Sequence, residues 1–184
     1  MTRIVSGSAG GLTIEVPKSG TRPTSERVRE ALFSRFDHLG YLDGGAVLDL
    51  YAGSGALGLE AASRGARRVV CVEAARSAVQ VIVRNAKYTK LPITVVTQKV
   101  LNFLSEEPRE QFDLVLIDPP YDIAEEELTL VLAALPAHLA PDAFVAVERR
   151  KKSPQPQWPA ELCFNDERKW GDTRVWSAFN RVSG

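Results

Sequence analysis

Ala46-Val47-Leu48-Asp49-Leu50-Tyr51-Ala52-Gly53-Ser54-Gly55-Ala56-Leu57-Gly58 is the stretch on which the fold turns. Ala46–Leu50 has the length of a buried strand, and three glycines at G-x-G-x-x-G spacing and then a helical pattern follow it. A strand-to-helix turn that brings backbone up to a ligand has no room for side chains at its closest points. Gly53 and Gly55 therefore read as leaving space for a cofactor, and Gly58 as letting the helix pack closely on the strand. The spacing alone suits a dinucleotide, another nucleoside ligand or a plain tight turn.

Outward from this turn, further apolar runs at Arg68–Glu73, 93–97, Phe112–Ile117 and 143–148 read as strands. Helical spacing lies between them at 56–64, 75–88 and 123–139, with Val79, Ile82, Val83 and Ala86 as one example. Strand and helix in alternation imply an α/β fold with a parallel sheet. Residues 149–156 are charged and Pro-rich and read as a loop. Leu162–Trp170 and Thr173–Asn180, joined at Gly171-Asp172, read as an antiparallel hairpin. The expectation is one domain over 1–184, a Rossmann-like, mostly parallel seven-stranded sheet with helices on both faces and an antiparallel C-terminal hairpin. Upstream, Ser6-Gly7-Ser8-Ala9-Gly10-Gly11 marks a turn, and Thr24 reads as the N-cap of a helix at 25–38 that carries Val28, Ala31, Leu32 and Phe36 on one face. Residues 1–40 thus read as an N-terminal hairpin-and-helix extension.

The chain has 184 residues, 45% hydrophobic and 25% charged, in the range of a single core. No apolar run approaches the roughly 20 residues of a membrane span, and the N-terminus has no signal-peptide pattern, so a cytoplasmic protein without membrane association is expected. Cys71 and Cys163 sit in apolar stretches without metal-ligand spacing and read as buried free thiols, so no metal is assigned. His38 and His138 fall near helix ends, where capping or surface roles are commoner than catalysis. Zero net charge conceals an asymmetry: residues 1–35 hold 6 Lys/Arg against 3 Asp/Glu, 36–148 hold 9 against 16, and 149–184 hold 8 against 4. Basic termini beside one mouth of the fold would serve a polyanion; solvated surface is the competing reading.

Two carboxylates inform on the cofactor. Glu73 closes the second strand, where it can accept from both ribose hydroxyls of a nucleoside. Asp49, just before the glycine turn, would repel a pyrophosphate and suits a ligand with an ammonium and a sulfonium, unless it simply bonds loop amides. The strand Phe112–Ile117 then runs into Asp118-Pro119-Pro120-Tyr121. The prolines stiffen this turn and offer no N–H, so it presents acceptors and a ring. An exocyclic amine on a nucleobase is a poor nucleophile because its lone pair is delocalised. The Asp118 carboxylate and the Pro119 carbonyl can each accept one of its hydrogens and favour a pyramidal nitrogen, while Tyr121 offers a face for an extruded base.

With these motifs the chain resembles the class I methyltransferases and, more narrowly, the RsmD-type 16S ribosomal RNA guanine-N2 methyltransferases. Leu48-Asp49-Leu50-Tyr51-Ala52-Gly53-Ser54-Gly55 and Asp118-Pro119-Pro120-Tyr121 carry the broader resemblance; Arg22-Pro23-Thr24-Ser25-Glu26-Arg27-Val28-Arg29-Glu30-Ala31-Leu32-Phe33 carries the narrower one. The resemblance covers most of the chain. It implies a monomeric bacterial enzyme that uses S-adenosylmethionine to methylate one guanine of 16S rRNA in the small subunit or an assembly intermediate, with ribosomal proteins as further contacts. It implies catalytic roles for Asp118, Pro119, Pro120 and Tyr121, and cofactor contacts from Asp49, Tyr51, Gly53, Gly55, Gly58, Glu73, Asp118 and backbone near Val100. Where many class I enzymes carry an acidic residue for the adenine amine, this chain reads Thr97-Gln98-Lys99-Val100, so Gln98 or backbone would substitute. Arg22, Thr24, Arg149, Arg150, Lys151, Lys152 and Lys169 are the candidate RNA contacts. Competing readings are an adenine-N6 or cytosine-N4 amino-methyltransferase, which shares the catalytic tetrapeptide, and a nicotinamide-dependent oxidoreductase or non-catalytic nucleoside-binding module, both of which leave Asp118 to Tyr121 unexplained.

Overall fold

A computed structural model describes residues 1–18 and 24–181. Arg22 and Pro23 lie outside the described residues. The elements in chain order are β1 (Thr2–Arg3), β2 (Thr13–Ile14), α1 (Glu26–His38), β3 (Ala46–Leu50), α2 (Ala56–Ser63), β4 (Arg68–Glu73), α3 (Arg76–Thr89), β5 (Thr94–Thr97), α4 (Val100–Ser105), β6 (Phe112–Ile117), α5 (Glu125–Ala134), a 3₁₀ turn (Pro136–His138), β7 (Leu139–Arg150), β8 (Leu162–Trp170) and β9 (Thr173–Asn180).

Seven strands form one sheet in the order β5-β4-β3-β6-β7-β9-β8. The first five are mutually parallel, and β9 runs antiparallel to both β7 and β8. The chain winds outward from β3 through β4 to β5, then returns to the other side of β3 for β6 and β7. The order therefore reverses between β3 and β6, where a crevice opens at the C-terminal strand ends. The expected α/β sheet with its antiparallel hairpin is the observed one.

Side-chain alternation assigns two faces. Leu48, Leu50, Val70, Val72, Val115, Ile117, Val145 and Val147 pack under α4 and α5, through Val100, Leu104, Leu128, Val131 and Leu132. Val47, Val69, Cys71, Leu114, Leu116, Phe144 and Ala146 face α1, α2 and α3, through Val28, Leu32, Phe33, Phe36, Leu57, Ala61 and Ile82. The central strands are buried on both faces, which is why β3 and β6 are nearly continuous apolar runs.

The structure corrects several local expectations. Ser25, not Thr24, caps α1: its side chain accepts from the Val28 N–H. Helix α1 fills the core beside Phe144, so it is an integral layer of the fold and not an appendage; only β1–β2 and its turn are peripheral. Helix α4 went unread because six residues are too few to show periodicity. β7 starts at Leu139 and runs through Arg150, past both expected ends, because Phe112 of β6 pairs with Leu139 at one end and β9 pairs with it from Phe144 to Arg150 at the other. His138 is buried, with Nε2 2.9 Å from the Leu104 carbonyl oxygen, so it is a core residue. Cys163 is only half-buried, on the outermost strand. No helix among the described residues is long and apolar enough to cross a membrane.

Candidate active site

The glycine turn is built as its sequence suggests. Tyr51, Gly53 and Gly55 have φ of 60°, 59° and 79°. For the two glycines this left-handed backbone carries no Cβ penalty, and for Tyr51 it is strained. At Gly58 an added Cβ would stand 2.5 Å from Cys71 Sγ and 3.2 Å from Val69 Cγ1, so this glycine sets the approach of α2 to β4. Gly55 is held by protein rather than by a ligand alone, since a Cβ there would meet Ile82 Cγ2 at 3.0 Å.

Asp49 lies beneath this turn, not at its surface. It is fully buried, its Oδ2 accepts from the Gly58 N–H at 3.0 Å, and Cys71 Sγ is 3.9 Å away. The structure shows the second role read for it, a carboxylate that bonds a backbone amide and fastens the first turn of α2; among the described residues Oδ1 has no hydrogen-bond partner. Burial pushes its pKa up to about 7, helped by the charge of Glu73 and opposed by the Gly58 bond. Glu73 stands at the end of β4 with one oxygen accepting from Gly53 N–H (2.8 Å) and the other from Ala75 N–H (3.0 Å). Each oxygen keeps a lone pair for a hydroxyl donor. Tyr51 directs its hydroxyl toward Glu127, and burial raises its pKa. Gln98 donates to Glu106 at 2.6 Å and lines a separate cavity over β4 and β5, so it does not face this turn; Val100 opens α4 just after it.

Asp118 follows β6 directly across the crevice. The register pairs Ile117 with Val147, so Asp118 and Glu148 extend side by side from neighbouring strands on the face covered by α1. Thr24 joins them: its Oγ1 lies 3.1 Å from Asp118 Oδ2 and 2.7 Å from Glu148 Oε2. Burial raises both carboxylic acids, and the charge of Glu148 raises Asp118 further. Glu148 was not singled out from sequence. The signal available was an acid closing an apolar strand, as Asp118 and Glu73 do.

A cavity of about 450 Å³ opens beside this pair, lined by Asp118 to Tyr121, Glu148 to Ser153, Asp172 and Thr173. A second cavity of about 440 Å³ adjoins it through Tyr121, Glu148, Asp172 and Thr173, and adds Thr24, Arg27 and Lys169. The structure thus brings Arg150, Lys151, Lys152 and Lys169 of the C-terminal basic segment to one mouth, with Arg27 of the N-terminal one. Arg149 also borders the first cavity, but its guanidinium is buried and bonds Glu125 at 2.6 Å, because alternation on β7 turns its side chain to the opposite face. Thr24 is likewise 8% exposed, bound to the acid pair and not to the rim.

A parallel sheet that reverses its order at a glycine turn, with an Asp-Pro-Pro-Tyr loop across the crevice, is the arrangement of the class I methyltransferases. The chain belongs to the family described as Conserved hypothetical protein 95, whose model matches residues 2–178, and is of the RsmD type within it. It is 34% identical over 171 residues to the ribosomal RNA small subunit methyltransferase D of Escherichia coli K12, covering 92% of this chain and 85% of that one. It is 35% identical over 158 residues to the protein of that name from Haemophilus influenzae, covering 83% and 80%. In structure it matches the Escherichia coli protein yhhF, described as a candidate methyltransferase, with a TM-score of 0.88, 29% identity and 99% of both chains covered.

Proposed function

We propose that this protein transfers a methyl group from S-adenosylmethionine to the exocyclic N2 of a guanine in 16S rRNA of the small ribosomal subunit. The observation that carries the reading is the placement of Asp118 at the switch point, between the glycine turn and a cavity of nucleoside size. Relatives of this chain are named for methylation of small-subunit ribosomal RNA, which supports the substrate class.

The residues around the glycine turn fit the cofactor. Glu73 has free lone pairs for two ribose hydroxyls, and the left-handed turn at Gly53 and Gly55 keeps side chains away from the ligand. S-adenosylmethionine would supply an electrophilic methyl group on a sulfonium that departs as a neutral thioether. On the acceptor side, Asp118 and the Pro119 carbonyl take the two N–H groups and aim the nitrogen lone pair at the methyl carbon. As the N–C bond forms and the C–S bond breaks, one amine proton passes to ionised Asp118. Its raised pKa makes Asp118 a better proton acceptor than an exposed aspartate. Tyr121, 45% exposed at the rim, supplies the stacking face.

The test is methyl transfer from labelled cofactor to small subunits isolated from cells lacking this protein, with digestion to nucleosides. N2-methylguanosine is the expected product. Asp118→Ala should lower the rate by about 100-fold or more; a loss below tenfold, or label in adenosine or cytidine, would overturn the reading.

A further inference from the structure

Glu148 stands where a second contact to the acceptor base must fall. Parallel register sets it beside Asp118, and Thr24 Oγ1 lies within hydrogen-bond distance of both carboxylates. A hydroxyl has one hydrogen, so Thr24 donates to one acid at a time, and the other carboxyl must keep a proton of its own or take a donor from outside the pair. Glu148 also lines both cavities at the mouth, so its remaining lone pairs face the space a base would enter. Among the described residues neither carboxylate is paired with a lysine or arginine: Arg149 is turned to Glu125, and Arg150 to Tyr121. The wall beside the catalytic loop is therefore a row of three oxygens that calls for N–H donors.

Nucleobases differ in what flanks the exocyclic amine. In guanine the N2 amine is next to N1–H, so the edge presents donor beside donor. In adenine the amine is next to N1, and in cytosine next to N3, both bare acceptors. Two neighbouring carboxylates attract the first edge and repel the other two.

We infer that Glu148 selects guanine, its carboxylate accepting the N1–H of the base whose N2 amine is held by Asp118. This rests on the methyltransferase reading above and adds the residue that chooses the base. A site built to accept a particular N–H discriminates strongly against a base that lacks it, because the carboxylate is then left facing a lone pair.

The test uses Glu148→Gln, in which an amide of the same shape can meet either edge. Methyl transfer to small subunits from cells lacking the protein is measured with GMP and 2-aminopurine riboside monophosphate as competitors. The two share the 2-amine and differ at N1, which carries hydrogen only in GMP, and at C6, whose oxygen only GMP has; it is the change in GMP preference on Glu148→Gln that isolates the N1 contact. The wild-type protein should be inhibited by GMP at least tenfold more strongly, and Glu148→Gln should reduce that preference below about threefold. Its kcat/KM for subunits should fall at least tenfold, while S-adenosylhomocysteine binding by calorimetry stays within twofold of wild type. A purely structural Glu148 would lower kcat/KM without moving the competitor ratio, and that result overturns the inference. So does a wild-type protein that shows no preference for GMP. Failure of the wild type to form N2-methylguanosine at all would instead remove the parent reading.

Discussion

The guanidinium carbon of Arg150 lies 3.7 Å from the centroid of the Tyr121 ring. A cation at this distance is held by the π face and fixes the ring's orientation, so Tyr121 meets an incoming base as a prearranged plate. The aromatic ring carries this role and the hydroxyl does not. Tyr121→Phe should keep kcat/KM within about threefold, whereas Tyr121→Ala should lose about tenfold or more, the worth of one stacked base. Steady-state methyl transfer to small subunits measures both; equal losses in the two variants would assign the work to the hydroxyl.

Charge at the mouth predicts a contrast between neighbours on one segment. Lys151→Glu and Lys152→Glu should raise KM for the subunit, flatten its dependence on salt and leave cofactor binding unchanged, because both side chains line the open cavity. Arg149→Glu should instead destabilise the fold, since it places a carboxylate against Glu125 in a buried position. Thermal unfolding and salt-dependent kinetics separate the two outcomes; similar salt profiles for all three would return Arg149 to the RNA surface.

Asp49 makes stability depend on pH. Its folded pKa of about 7 lies above the ordinary carboxylate value of 3.8, so the folded chain binds its proton more tightly than the unfolded chain does. The favourable contribution is full below about pH 4 and is lost as pH rises through 7. Between these values Asp49 should lower stability by up to about 1.4 kcal/mol per pH unit. Asp49→Asn should remove that part of the slope in urea titrations between pH 5 and 8, and an unaltered slope would mean the carboxylate stays charged.

The buried Arg29–Glu60 pair fastens the β1–β2 hairpin. Arg29 Nε is 3.7 Å from Glu60 Oε1, and Glu60 also accepts from Val5 N–H at 3.0 Å and Ser6 N–H at 3.4 Å. Arg29 donates in turn to Thr2 Oγ1 and to the Arg3 carbonyl. Glu60→Ala should cost about 3–5 kcal/mol by leaving an unpaired buried guanidinium. Hydrogen exchange should show the Val5 and Ser6 amides losing protection first; a chain destabilised by less than 1 kcal/mol would show that the hairpin is held by Ile4 and Ile14 alone.

Much of this architecture is legible in the chain because its signals are local. β3, β4, β6, β8 and β9 begin and end where apolar runs meet turns, and Gly53, Gly55 and Gly58 announce the strand-to-helix turn whose φ angles and tight packing the structure shows. The Asp118-Pro119-Pro120-Tyr121 loop is likewise a contiguous segment, so its stiffness and acceptor character follow from covalent geometry. The tertiary structure alone decided whatever depends on partners distant in sequence. Strand register put Glu148 beside Asp118, and docking of α1 brought Thr24 to both across 94 and 124 positions. Alternation on β7 sent Arg149 to Glu125 while Arg150 went to Tyr121. Asp49 shows the same division: its place before the glycines is plain in the sequence, but which way the carboxylate faced was decided by Gly58 and by the burial of β3 on both sides. Backbone preferences act between neighbours and are written in residue order, whereas a site is a set of side chains assembled by packing, and packing has no counterpart along the chain.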